Sequence, residues 1–302
     1  MSVIEIEDLT KDYGNGKGVF HVDLNVEEGE VFGYLGPNGA GKSTTIRHLM
    51  GFSKPDSGFT RIYGKNTFDN YYQLLQYVGY LPGEIALPKG LTGDEFIEMM
   101  QNLRHMKDRG KANELIDMFE LDNLGETRSM SLGQKRKLAI VAAFMHDPAI
   151  LVLDEPTSGL DPIMQKRFTN FVVDEKKRGK TILLSSHIFS EVDATCDRIA
   201  TIKDGVIVDR FNTDEFKHSR NKKYTITFKE NETAKLQQDF ISIVQLSEDG
   251  KNVELVIDES DTNRLFDLLK EAEVTDMQEN VISLKDHFMS FYKEDREFME
   301  VF

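Results

Sequence analysis

The residues best suited to chemistry form one short run, Gly36-Pro37-Asn38-Gly39-Ala40-Gly41-Lys42-Ser43-Thr44. Its pattern is G-x-x-x-x-G-K-[ST], and each residue type has a physical reason to be there. Glycines let the backbone wrap closely enough for successive N–H groups to converge on an anion. A helix opening at the end of the run would add the positive end of its dipole. Lys42 brings a mobile point charge to terminal phosphates, and Ser43 a hydroxyl suited to Mg²⁺. The implied ligand is the phosphate chain of a nucleotide. A second run, Ile150-Leu151-Val152-Leu153-Asp154-Glu155-Pro156, ends an apolar stretch in two carboxylates. A strand there would deliver both at its C-terminal edge, where open α/β sheets bind their ligands. Asp154 suits a hard cation, and Glu155 suits the proton of an attacking water. An acidic pair alone is more often a turn or a helix cap. The phosphate-binding run upstream reverses that preference.

Three further motifs stand in a fixed order around these. Met130-Ser131-Leu132-Gly133-Gln134 precedes the carboxylates, and Ser158-Gly159-Leu160-Asp161 and Ser185-Ser186-His187 follow them. Taken singly, Ser131 reads as a helix N-cap and His187 as a polar strand end, and Tyr13, upstream in Leu9-Thr10-Lys11-Asp12-Tyr13-Gly14, as a half-buried aromatic. As an ordered set they resemble the nucleotide-binding subunits of ATP-binding cassette (ABC) transporters over roughly residues 1–215. The resemblance implies ATP and Mg²⁺ as cofactors and ATP hydrolysis as the reaction. It makes Gly36 to Thr44 the phosphate loop, with Ser43 and Asp154 on the metal and Glu155, His187 and Lys42 as the catalytic set. Tyr13 would stack on adenine. Ser131, Gly133 and Gln134 would be the signature motif, and Asp161 would close the D-loop. In that family the signature motif meets the ATP of a second subunit, so the implied partners are a second copy with ATP at the interface and a transmembrane permease on a separate chain. The implied location is the cytoplasmic face of the membrane. Two positions depart from the family pattern. Leu132 stands where Gly is usual, and Gly83 stands where Gln usually follows Pro82. Glu84 could supply a carboxylate to the metal or the water in its stead, or meet the membrane partner. The Gly83-Glu84 variant and the Leu284-Lys285-Asp286-His287-Phe288 element resemble exporters of drugs, antimicrobial peptides or other amphipathic molecules.

These residues need elements to hold them. Segments 31–35, 150–153 and 181–185 are short, apolar and bounded by Gly, Pro or Asp, as strands buried on both faces of a parallel sheet are. Helical segments alternate with them, including 135–144, which gives an α/β layer fold. Extended segments at 3–9, 18–26 and 60–62 suggest a small antiparallel sheet at one edge. The expected division is a nucleotide-binding domain at 1–215, with a helical subdomain about 84–148, and an accessory α+β domain at 216–302. In the latter, strands at 224–228, 241–246, 253–257 and 274–278 and helices at 234–240 and 263–272 give the β-α-β-β-α-β order of a ferredoxin-like unit. A closing helix is expected at 284–292, and a role in regulating or stabilising the dimer.

Composition narrows the field further. Lys+Arg 37 against Asp+Glu 52 leaves a net charge of −15, which argues against a nucleic-acid partner held through phosphates. The single cysteine excludes an internal disulfide and suits a reducing compartment. No apolar run reaches the roughly 18 residues of a membrane span. The alternative reading is a soluble ABC ATPase acting in translation, repair or cluster assembly. One cassette, no heptad run and an acidic balance argue against it.

Overall fold

The computed structural model describes residues 2–217, 221–280 and 284–290. The chain forms two compact units, Met1–Thr213 and Asp214–Phe302. In chain order the first holds β1 (Ser2–Asp12), β2 (Gly18–Glu27), β3 (Val31–Leu35), α1 (Lys42–Leu49), β4 (Ser57–Ile62), β5 (Lys65–Asn66), α2 (Thr67–Leu74) and β6 (Val78–Leu81). It continues through α3 (Gly93–Leu103), α4 (Gly110–Met118), α5 (Leu132–Phe144), β7 (Ile150–Asp154), α6 (Pro162–Lys177), β8 (Thr181–Ser186), α7 (Phe189–Thr195), β9 (Arg198–Lys203) and β10 (Val206–Asn212).

Six strands make the central sheet in the order β10-β9-β3-β8-β7-β6. All neighbours are parallel except β10, which returns antiparallel to β9. Every residue of β3, β7 and β8 is buried, as their unbroken apolar runs require of strands covered on both faces. Register then does the positioning. Leu35 pairs with Ser186 and Asp154 with Ser185, so the 36–44 loop, Glu155 and His187 leave the sheet at one edge. The early extended segments do form an antiparallel sheet, β2-β1-β4-β5, but it is a sheet of its own. Its apolar face, including Ile4, Ile6 and Val22, shares a core with Phe32, Ile46 and Leu183.

Helix α5 begins where Ser131 caps it: the Ser131 Oγ accepts from Gln134 N at 3.2 Å. Residues 138–144 are all buried, so this helix is apolar around most of its girth. Helix α3 opens with a reciprocal cap, Thr92 N donating to Glu95 Oε2 at 2.7 Å and Glu95 N to Thr92 Oγ1 at 3.2 Å.

The unit boundary falls within a short helix, α8 (Thr213–Lys217). The second unit holds β11 (Asn221–Phe228), β12 (Ser242–Leu246), β13 (Asn252–Asp258), α9 (Thr262–Leu269), β14 (Val274–Asn280) and α10 (Leu284–Ser290). Its strands pair antiparallel in the order β12-β13-β11-β14, the arrangement of a ferredoxin-like sheet. One expected element is corrected. The helix at 234–240 is only a 3₁₀ turn, Thr233–Leu236. Leu236 is its one buried residue, and Thr233 N and Oγ1 both donate to Asn231 Oδ1, a local turn that competes with helix. The closing helix is present as α10, while residues 291–292 lie outside the described residues.

Candidate functional site

The loop after β3 leaves the sheet with Gly36 N donating to Ser186 O at 3.3 Å. It turns through Ala40 N to Pro37 O and ends at Gly41, the N-cap of α1. Gly41 has φ +112°, and a Cβ there would stand 2.7 Å from Val19 Cγ1, so both backbone and space demand glycine. Lys42 follows in the first turn of α1, almost wholly buried. Its Nζ donates to Gly36 O at 2.5 Å and Pro37 O at 3.1 Å, and lies 2.9 Å from Glu155 Oε1.

Glu155 is held in an uncommon conformation. Its φ is 49°, a left-handed geometry that costs a non-glycine residue on the order of 1–3 kcal/mol. Strand β8 holds it there: Glu155 N donates to Ser185 O at 3.1 Å and to Ser185 Oγ at 3.2 Å. The carboxylate is thereby turned toward Lys42 and His187. Burial pushes its pKa up, but the His187 hydrogen bond and the Lys42 charge outweigh burial and leave it below the ordinary carboxylate value. His187 Nδ1 stands 2.6 Å from Glu155 Oε2. An ionised carboxylate only accepts, so Nδ1 is the donor, and that bond raises the His187 pKa above its ordinary value. Oε2 is thus taken. Oε1 is buried and lies 2.9 Å from Lys42 Nζ, a charge-assisted pair.

Asp154, buried at the end of β7, accepts from Ser185 Oγ through Oδ1 at 2.5 Å. Its other oxygen faces the loop after β6: a Cβ built on Gly83 would come within 3.0 Å of Asp154 Oδ2. Glu84 beside it is exposed and does not line the cleft. Position 83 is therefore the one that reaches Asp154, and here it carries no side chain.

Pro37, Asn38, Gly39, Gly41, Lys42, Ser43, Thr44 and Glu155 line one cleft, with Tyr13 on its rim at 59% exposure. Lys11 Nζ lies 5.9 Å from the Tyr13 ring centroid. Ser131, Gly133, Gln134 and Asp161 do not line this cleft. Ser131 is exposed, and Leu132, at 60% exposure, packs over Gly159. Asp161 caps α6 by accepting from Ile163 N and Met164 N, both at 3.0 Å. Sequence reasoning missed Lys17, which lines the cleft from Gly14-Asn15-Gly16-Lys17-Gly18, a second glycine-rich run with a cation that was there to be read. It also missed Asp204 and Gly205, the turn between β9 and β10; Gly205 N donates to Ala40 O at 3.0 Å, a link no local pattern announces.

Residues 19–158 match the ABC transporter family. Over 228 residues, 74% of this chain and 74% of the relative, the sequence is 37% identical to the bacitracin transport ATP-binding protein BcrA of Bacillus licheniformis. The chain belongs to the ABC transporter family. It is also 29% identical over 98% of both chains to the uncharacterized ABC transporter ATP-binding protein YhcH of Bacillus subtilis. Among solved structures it is similar to a dimeric post-hydrolysis state of the ATP-binding cassette MJ0796 bound to ADP and Pi, with TM-score 0.64 and 25% identity over 70% of this chain and 98% of that one. The cleft belongs to an ABC ATPase cassette, and the protein is an ATP-binding subunit of the ABC transporter type.

Proposed function

We propose that this chain powers export of a drug, peptide or amphipathic molecule through a transmembrane permease on a separate chain, from the cytoplasmic face of the membrane. The bacitracin-transport relative supports the substrate class. Among the described residues no helix is long and apolar enough to cross a membrane.

The observation that carries the chemistry is the state of Glu155. One oxygen holds His187, and the other is buried on the cleft wall with Lys42 as its partner. That second oxygen accepts the proton of the water that attacks the γ-phosphorus. ATP enters with its phosphates in the 36–44 loop, and Lys42 exchanges its carbonyl partners for phosphate oxygens. His187, oriented through Nδ1, offers its other nitrogen to the γ-phosphate, and Tyr13 stacks on adenine.

Magnesium fits the donor set. Among the described residues there is no group of three or more His, Cys, Asp or Glu poised to hold an ion by themselves, and Mg²⁺ is commonly held by one or two protein oxygens with substrate phosphates. Asp154 and Ser43 would hold it, and bound there it would neutralise charge developing on the β- and γ-oxygens. Ser131, Gly133, Gln134 and Asp161 serve the site of a second copy, closing over the partner's ATP. Glu84, exposed beside Gly83, meets the permease. Residues 216–302 regulate or stabilise the dimer.

Purification of the tagged chain from detergent-solubilised native membranes tests the coupling. The expected outcome is stoichiometric recovery of a protein with about six apolar spans. Recovery of the chain from the soluble fraction alone, with full ATPase activity and no membrane partner, would contradict it.

A further inference from the structure

Arg136 is 1% exposed, and its guanidinium is held by backbone carbonyls. Nε donates to Ser158 O at 3.0 Å, Nη1 to Pro82 O at 2.8 Å and Nη2 to Gly83 O at 2.6 Å. Burying a cation on carbonyls is expensive, and burial lowers the Arg136 pKa while the nearby Asp154 and Glu155 charges oppose that. Such a costly arrangement is expected to do something a Leu or Met could not.

The three carbonyls show what that is. Ser158 belongs to the turn that starts at Glu155, since Ser158 N donates to Glu155 O at 3.2 Å. Gly83 is the residue that lies against Asp154 Oδ2. One planar fork therefore grips the segments on both sides of the carboxylate pair. The third anchor is α5 itself, whose start at exposed Ser131 and half-buried Gly133 lies less than two turns before Arg136. Gly133 also closes on the 158–161 turn, where a Cβ would come within 3.0 Å of Gly159 O.

We propose that Arg136 is a positioning residue for hydrolysis: its guanidinium ties the start of α5 to Gly83 and Ser158, so that contact made at Ser131 and Gly133 sets the placement of Asp154 and Glu155. With no side chain at position 83 to reach Asp154, the loop is placed by its own carbonyls, and Arg136 is what holds them. A lysine cannot reproduce this, because three acceptors at different angles suit a rigid fork and not a single ammonium. The proposal deepens the hydrolytic reading above and rests on it.

The test uses the full chain carrying Arg136→Ala or Arg136→Lys. It measures folding by circular dichroism, ATP affinity with a fluorescent nucleotide analogue, and kcat with and without millimolar guanidinium. Arg136→Ala is expected to stay folded and bind ATP within about threefold of wild type while kcat falls about 10–100-fold. Arg136→Lys should fall between the two. Added guanidinium should restore part of kcat in Arg136→Ala and leave wild type unchanged. A merely structural residue would lower affinity and rate together and show no rescue. Proportional losses, a folded Arg136→Ala with kcat within about twofold of wild type, or unfolding of both variants would each overturn the proposal. Failure of the hydrolytic reading itself would show separately, as full turnover in Glu155→Gln.

Discussion

The cleft around Lys42 and the surface around Ser131 belong to one cassette, yet they differ in how far the chain satisfies its own groups. In the cleft, Lys42 has two carbonyls and a carboxylate within 3.1 Å, and Glu155 is fixed by His187 and strand β8. At the start of α5, Ser131 is exposed, Leu132 is 60% exposed, and Gly133 and Gln134 are only half buried. The first region is preorganised before any ligand arrives. The second presents a helix N-terminus and an apolar side chain to the outside, which suits an anion brought by another molecule. A helix N-terminus has free N–H groups wherever it lies, so exposure alone would mean little. What gives it meaning is Arg136, which ties that helix to Pro82, Gly83 and Ser158, the segments beside Asp154 and Glu155.

The largest effect should come from disabling the cleft while sparing the surface. Glu155→Gln keeps the shape but cannot take the proton, so turnover should fall about 10²–10⁴-fold while ATP binding persists. With Ser131 and Gly133 intact, ATP should then accumulate in a stable dimer, seen as a shift in size-exclusion elution. Full turnover, or loss of ATP binding, would break the comparison on the cleft side.

A smaller effect sharpens it. The His187 pKa is raised above 6.5 by its bond to Glu155, so this pair stabilises the fold fully below that value and ceases to as pH rises through the raised pKa. Glu155 is lowered below 4.5, so its share is present above that value and is lost as pH falls through the lowered one. The ring is more than a third exposed, so solvent screens the pair and the change in Tm should be at most about 2–4 °C. Thermal melts across pH should show an alkaline decline in wild type that His187→Ala lacks. Identical profiles would mean that the pair holds Glu155 without strength of its own.

Local chemistry was legible and tertiary register was not. The 36–44 loop, the carboxylate pair and the Ser131 cap are contiguous patterns, and each stands on the element its sequence implies. Arg136 was read only as part of a helix, because its partners lie 53 and 54 residues away in one direction and 22 in the other. Glu84 drew notice as a carboxylate at an unusual position. Only the approach of Gly83 to Asp154 shows that the neighbouring position is the one facing the site. In the second unit strand alternation was readable, but 234–240 offered a single buried residue, too little to decide between helix and turn.

The central claim is that each working site takes its cleft from one chain and its Ser131 surface from another. Complementation tests it most directly. Lys42→Ala removes the buried cation of the cleft and Ser131→Arg blocks the surface, so each variant alone should be inactive. In an equimolar mixture, a dimer of one chain of each kind rebuilds one intact site, and activity should return to at most about a quarter of wild type. Mixed dimers recovered through two different tags that hydrolyse no ATP, or a Ser131→Arg chain fully active alone, would contradict the account.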